Sequence, residues 1–119
     1  MIEVFVRGIP YARNKTKGRL DAPKEWTQRV IDQTRSLPHI RTACELDAEF
    51  VLPEDKFPSD LPFGMDLDNL LKRLLDGLGR TVLIDAPGND SAIVSLRASK
   101  RKARPGEDPG VKLRLAPVL

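Results

Sequence analysis

Residues 66–78 read Asp-Leu-Asp-Asn-Leu-Leu-Lys-Arg-Leu-Leu-Asp-Gly-Leu, and the leucines at 67, 70, 71, 74, 75 and 78 decide the fold. Their spacing is that of one face of an α-helix, which leaves Asn69, Lys72, Arg73 and Asp76 on the opposite side. The pattern predicts a helix running to Leu78 or Gly79, with the glycines at 77 and 79 as its C-terminal stop. A stripe this apolar has to lie on a sheet or on another helix, so the flanking segments set the architecture.

Upstream, residues 43–52 (Ala-Cys-Glu-Leu-Asp-Ala-Glu-Phe-Val-Leu) alternate small or apolar residues with acids. They predict a half-exposed strand with Cys44, Leu46, Ala48 and Phe50 inward. Residues 2–6 predict a first strand, ended by Gly8 and Pro10. Asp21 is a cap candidate and Pro23 suits a first helical turn, so Trp26, Val30 and Ile31 predict a helix reaching about Ser36, closed by Pro38. Residues 53–64 hold three prolines and predict a loop. Downstream, 81–84 predict a short extended piece, and 92–97 and 111–115 predict two strands paired as a hairpin. The charged connection carrying Lys100, Arg101, Lys102 and Arg104 is then the hairpin tip. The expectation is one α+β domain over 1–119, a small mixed sheet packed against two main helices.

At 119 residues and 40% hydrophobic, the chain supports one core of limited size, which favours oligomerisation. Its only cysteine, Cys44, excludes an internal disulfide and a cysteine-rich zinc site. No apolar run approaches the roughly 18 residues of a membrane helix, and the start Met-Ile-Glu is unlike a basic signal peptide. A soluble cytoplasmic protein with no membrane partner is expected. The net charge of +3 hides three unlike segments: nine cations and four anions over 1–41, one and eight over 42–68, ten and five over 69–119. Two basic segments bracket an acidic one, which suits either a phosphate-binding surface around carboxylates or ordinary solvated charge.

Asp66 and Asp68 stand at the junction of loop and helix, where the first carboxylate can turn toward the second. Oxygen ligands with room for water suit Mg²⁺, or Mn²⁺, rather than zinc, and Asp90 is a candidate third ligand. The bland alternative is a pair of helix caps. Lys72, four residues from both Asp68 and Asp76, is either one half of a helical ion pair or an ammonium that stabilises charge on a phosphate. The basic loop with Arg13, Asn14, Lys15, Lys17 and Arg19 is a candidate nucleic-acid clamp. Trp26 is expected in the core and His39, beside Pro38, in a turn.

The run Asp66-Leu67-Asp68-Asn69-Leu70-Leu71-Lys72, with Asp76-Gly77-Leu78 after it, resembles the Asp-x-Asp-Asn-x-x-Lys signature of RusA-type Holliday junction resolvases. Asn89-Asp90-Ser91-Ala92-Ile93-Val94 and Lys100 are similar to the family's next segment, and Ile9-Pro10 through Asn14 is similar more weakly. The resemblance implies a RusA-like, homodimeric Mg²⁺-dependent endonuclease that cuts paired strands at four-way DNA junctions in recombination and repair. Asp66, Asp68 and Asp90 then match the metal-coordinating carboxylates and Lys72 the catalytic lysine, with Asn69 and Asp76 supporting them. The other basic residues named above would grip the DNA arms. Two departures stand out: the approach over 53–64 is long and net acidic, and Asn89 replaces the first Asp of an Asp-Asp pair, leaving Asp85 as a rival ligand. A structure-selective DNA-binding protein with little or no catalysis is the alternative, and docking through Phe57 and Phe63 is a third.

Overall fold

Period-two burial makes the sheet. Cys44, Leu46, Ala48, Phe50 and Leu52 are all buried, while Glu45, Asp47 and Glu49 point the other way. In the computed structural model, which describes residues 1–11, 22–53 and 65–118, these residues form β2 (Cys44–Leu52). The remaining elements are β1 (Ile2–Arg7), α1 (Ala22–Thr34), α2 (Leu67–Leu78), a 3-10 turn (Asn89–Ala92), β3 (Ile93–Lys102) and β4 (Gly110–Pro117). The fold is α+β: a mixed four-stranded sheet ordered β1-β4-β2-β3, with two helices on one face.

The expected hairpin between the last two strands does not form. β4 pairs antiparallel with both β1 and β2, whereas β3 pairs parallel with β2 at the sheet edge. Burial explains the order. Val111, Leu113 and Leu115 of β4 are at most 1% exposed and need neighbours on both sides, while β3 carries Val94 and Leu96 about half exposed or more among Ser and Arg residues. The strand with the weaker apolar face goes to the edge. Lys100, Arg101 and Lys102 therefore belong to β3 and not to a hairpin tip, and the 103–109 connection passes the end of β2, where Ala103 N–H donates to Leu52 O at 2.8 Å.

A parallel pair requires a crossover, and α2 supplies it between β2 and β3, as α1 does between β1 and β2. Leu70, Leu74 and Leu78 of α2 are fully buried with Trp26 and Val30 of α1. Gly77 is not a helix stop. It is where α1 touches α2, since a Cβ there would lie 2.6 Å from Val30 Cγ1. Gly79 does follow the helix, but at a right-handed φ of −63°; what it accommodates is the Asn89 side chain. The segment expected to be extended at 81–84 is a series of turns with Thr81, Val82 and Leu83 buried. There the Thr34 and Thr81 hydroxyls meet at 2.7 Å, and Thr34 also donates to Val30 O at 2.6 Å. The two helices thus run parallel, Val30 abreast of Gly77 and Thr34 abreast of Thr81.

Candidate functional site

The register divides the molecule into two ends. One row across the sheet is Arg7, Gly110, Val51, Arg101, which is the carboxyl end of the parallel strands β1, β2 and β3. In sheets crossed over by helices this is the end where ligands commonly bind, because the helices begin there. The N-terminus of α2 is fixed to it by Lys100, whose half-buried ammonium donates to Met65 O at 2.7 Å. Lys100 accordingly holds the approach to Asp66, a role different from the DNA contact expected of it.

Asp66 occupies the N-cap position of α2, yet its carboxylate makes no capping hydrogen bond to the helix. Its one side-chain partner among the described residues is the Asn69 amide, which donates to Oδ2 at a long 3.5 Å. Asp66, Asp68, Lys72 and Asp76 are all exposed, and Asn69 is half-buried. Among the described residues no ion pair joins Lys72 to Asp68 or Asp76. The two bland roles, cap and helical ion pair, are therefore unfilled, and the carboxylates and the ammonium all face solvent on one ridge.

Asp90 does not join them. It lies in the 3-10 turn before β3, whose neighbour Asn89 donates to Gly79 O at 2.9 Å and to Leu83 O at 3.2 Å, beyond the C-terminal end of α2. From Asp68 to Gly79 the helix rises about 16 Å, and β3 covers about 23 Å from Ile93 to Lys100. A hard divalent cation binds its oxygens at roughly 2.0–2.6 Å, so one ion cannot be shared across that length. Among the described residues no three His, Cys, Asp or Glu side chains gather around a common point. Asp66 and Asp68 fit the chemistry of Mg²⁺ or Mn²⁺ as oxygen donors, and Asp90 does not fit as their third ligand within one protomer.

No protein-family model matches the chain, and no curated protein matches it.

Other expected contacts separate in the same way. Arg101 is spent on structure: Nη1 and Nη2 donate to Glu107 Oε1 and Oε2, both at 2.6 Å, and Nε lies 3.4 Å from Glu49. This fork, with a further bond from Arg104 N–H, lowers the Glu107 carboxyl to about 2 and raises the guanidinium. Lys102 and the Arg104 side chain are exposed at the carboxyl end. The basic loop with Arg13, Asn14, Lys15, Lys17 and Arg19, the Asp21 cap and the Phe57 and Phe63 loop lie outside the described residues.

At the opposite end His39 Nδ1 lies 2.8 Å from Asp85 Oδ2, with Arg41 3.4 Å from the same oxygen. The His39 hydrogen bond and the Arg41 charge hold the Asp85 carboxyl below its ordinary range. Asp85, the rival ligand, is thus engaged away from Asp66 and Asp68. Sequence reasoning passed over this cluster because its members are 46 residues apart. It also passed over Gln33, whose amide donates to Arg7 O and accepts from Arg7 N–H, both at 2.7 Å, and so occupies the free edge of β1. Burial raises the Cys44 thiol, in keeping with a core position. No helix among the described residues is long and apolar enough to cross a membrane.

Proposed function

We propose that this protein is a RusA-like, Mg²⁺-dependent endodeoxyribonuclease that acts as a homodimer on four-way DNA junctions, in recombination and repair in the cytoplasm. The observation that carries the reading is the Asp66-x-Asp68-Asn69-x-x-Lys72 run on an exposed ridge at the helix start, with Asp66 free of any cap bond and Lys72 unpaired among the described residues. Carboxylates that serve neither cap nor salt bridge are available to a cation. A bound Mg²⁺ would polarise a phosphate and lower the pKa of water. Asp66 and Asp68 are the residues of this chain that would hold it, Asn69 orients Asp66, and Lys72 offers an ammonium to the phosphate oxygens. Lys100 keeps the helix start in position.

A second reading, a junction-binding protein with little or no catalysis, is favoured by one observation: Asp90 stands at the far end of α2 from the other two carboxylates. One experiment separates the two. Purified protein is incubated with a synthetic four-way junction in Mg²⁺ and in Mn²⁺, with Asp68→Asn and Lys72→Ala alongside. Nuclease action gives paired nicks that Asp68→Asn abolishes and Lys72→Ala slows by about 10²–10³-fold. An intact junction whose mobility still shifts in both metals supports the second reading. Equal cleavage by wild type and Asp68→Asn moves the chemistry away from this ridge.

A further inference from the structure

Beside that ridge, on the solvent side of the two parallel helices, lies a groove of about 580 Å³. Close to it the two helices meet at Gly77, where Val30 fills the place of a side chain. Lys24, Arg73 and Arg80 line it with Asp76 as the one carboxylate among the described lining residues, and Thr27 lies between the helices. Among the described lining residues three cations stand with one carboxylate.

We propose that this groove seats the sugar-phosphate backbone of DNA. The distribution of charge argues for a polymer over a single small anion. Because Val30 is abreast of Gly77 and Thr34 of Thr81, Lys24 belongs to the end near the start of α2, and Arg80 to the other end, beside Ile31. The cations are spread along the groove rather than gathered at one point, as an anionic polymer requires. Lys24 and Arg80 are exposed, and no ion pair engages either among the described residues.

The open face of the sheet is the instructive contrast. It too is rich in cations, but the register sets Glu3, Arg114, Asp47 and Arg97 in one row, each cation next to a carboxylate. Arg114 lies 3.6 Å from Glu3, and Arg101 is held by Glu49 and Glu107. A phosphate approaching that face meets both signs alternately. Among the described residues of the groove it meets mostly one, and phosphate neutralisation is what drives sequence-independent binding. A strand lying there also runs alongside Asp68, Lys72 and Asp76. The choice of DNA as the polymer rests on the nuclease reading; the preference for a phosphodiester chain rests on the groove.

The test is fluorescence anisotropy of a labelled 20-base-pair duplex in EDTA, so that no cleavage intervenes, over a series of salt concentrations. Lys24→Glu/Arg80→Glu and the milder Lys24→Gln/Arg80→Gln are compared with Arg35→Glu, an exposed charge reversal outside the groove. Circular dichroism establishes that each variant is folded, and the neutral pair serves if the reversed pair is not. Removing two phosphate contacts lowers the salt slope by about 1.8 and weakens binding at 0.1 M salt by about 60-fold. Arg35→Glu is expected to change binding less than threefold. Wild-type affinity in both groove variants, or an equal loss in Arg35→Glu, overturns the proposal. Cleavage by wild type with unaffected groove variants removes the groove alone, whereas groove-dependent binding without cleavage removes the nuclease reading alone.

Discussion

Replacing Gly77 by Ala sets two effects of opposite sign against each other, and the geometry says which wins. In a helix interior Ala is preferred to Gly by about 1 kcal/mol, so the substitution taken alone stabilises α2. Here the new Cβ would lie 2.6 Å from Val30 Cγ1 and 2.9 Å from Val30 Cβ, where carbon atoms settle at roughly 3.5–4.0 Å. The second distance matters more, because Cβ is fixed by the backbone and no change of rotamer at Val30 relieves it. The helices have to separate, and overpacking of this kind costs about 1–3 kcal/mol.

The net expectation is a loss of about 0–2 kcal/mol, read by urea denaturation with Trp26 as the probe; it is the only tryptophan and is 1% exposed. Val30→Ala destabilises by roughly 2–3 kcal/mol on its own, from lost burial and a cavity. In that background the shorter contact is gone, so adding Gly77→Ala should cost roughly 1 kcal/mol less than it does in wild type. A Gly77→Ala protein about 1 kcal/mol more stable than wild type would refute the reasoning: it would mean that propensity alone operates and that α1 and α2 do not meet at this point.

Two further outcomes are expected. Thr81→Val leaves the buried Thr34 hydroxyl without its 2.7 Å partner and should cost about 1–3 kcal/mol, while Thr34→Val/Thr81→Val together should cost less than the sum of the singles; additive losses in thermal denaturation would show that the hydroxyls are not coupled. Glu107 is held at about 2, below its ordinary 4.5, so its ion pair with Arg101 favours the folded state fully above pH 4.5 and progressively less as pH falls toward 2. The stability gap between wild type and Glu107→Gln should therefore be constant above about pH 5 and narrow below it; a gap that stays the same between pH 5 and pH 2.5 contradicts the assignment.

The leucine stripe was enough to read α2 to within a residue, and the alternation of Glu and Asp with Leu, Ala and Phe was enough to read β2, because both patterns are local. Strand order was not readable. β3 and β4 carry turn residues between them and period-two alternation on either side, which is also how a hairpin is written, and nothing local says that β2 is inserted between them. That one error propagated to the site. A crossover helix begins at the carboxyl end of one strand and ends near the amino end of the next, so once β2-α2-β3 is recognised, Asp66 and Asp90 must stand at opposite ends. Lys100 was read as part of a hairpin tip, and its bond to Met65 O depends on β3 running on through it and lying beside the start of α2, a contact across 35 residues.

The charge of the chain teaches the same lesson about position. A net +3 on 119 residues predicts little, and counting cations by segment placed the basic surface in the sequence without placing it on the molecule. What decides whether a cation can hold a phosphate is the register around it. Arg97 and Arg114 have carboxylates one strand away on either side or at the edge, because β2 brings Asp47 and Glu49 to the middle of the open face. The acids that made residues 42–68 look like a metal-binding segment are in part the counter-charges of this face. Subtracting the acids of this face leaves Asp66 and Asp68 as the exposed acids of that segment among the described residues. Lys24 and Arg80 remain as exposed cations on the helical side, which is the side where Asp66, Asp68 and Lys72 stand. On the proposed reading, a phosphodiester chain drawn by the described charges meets the helices in preference to the sheet.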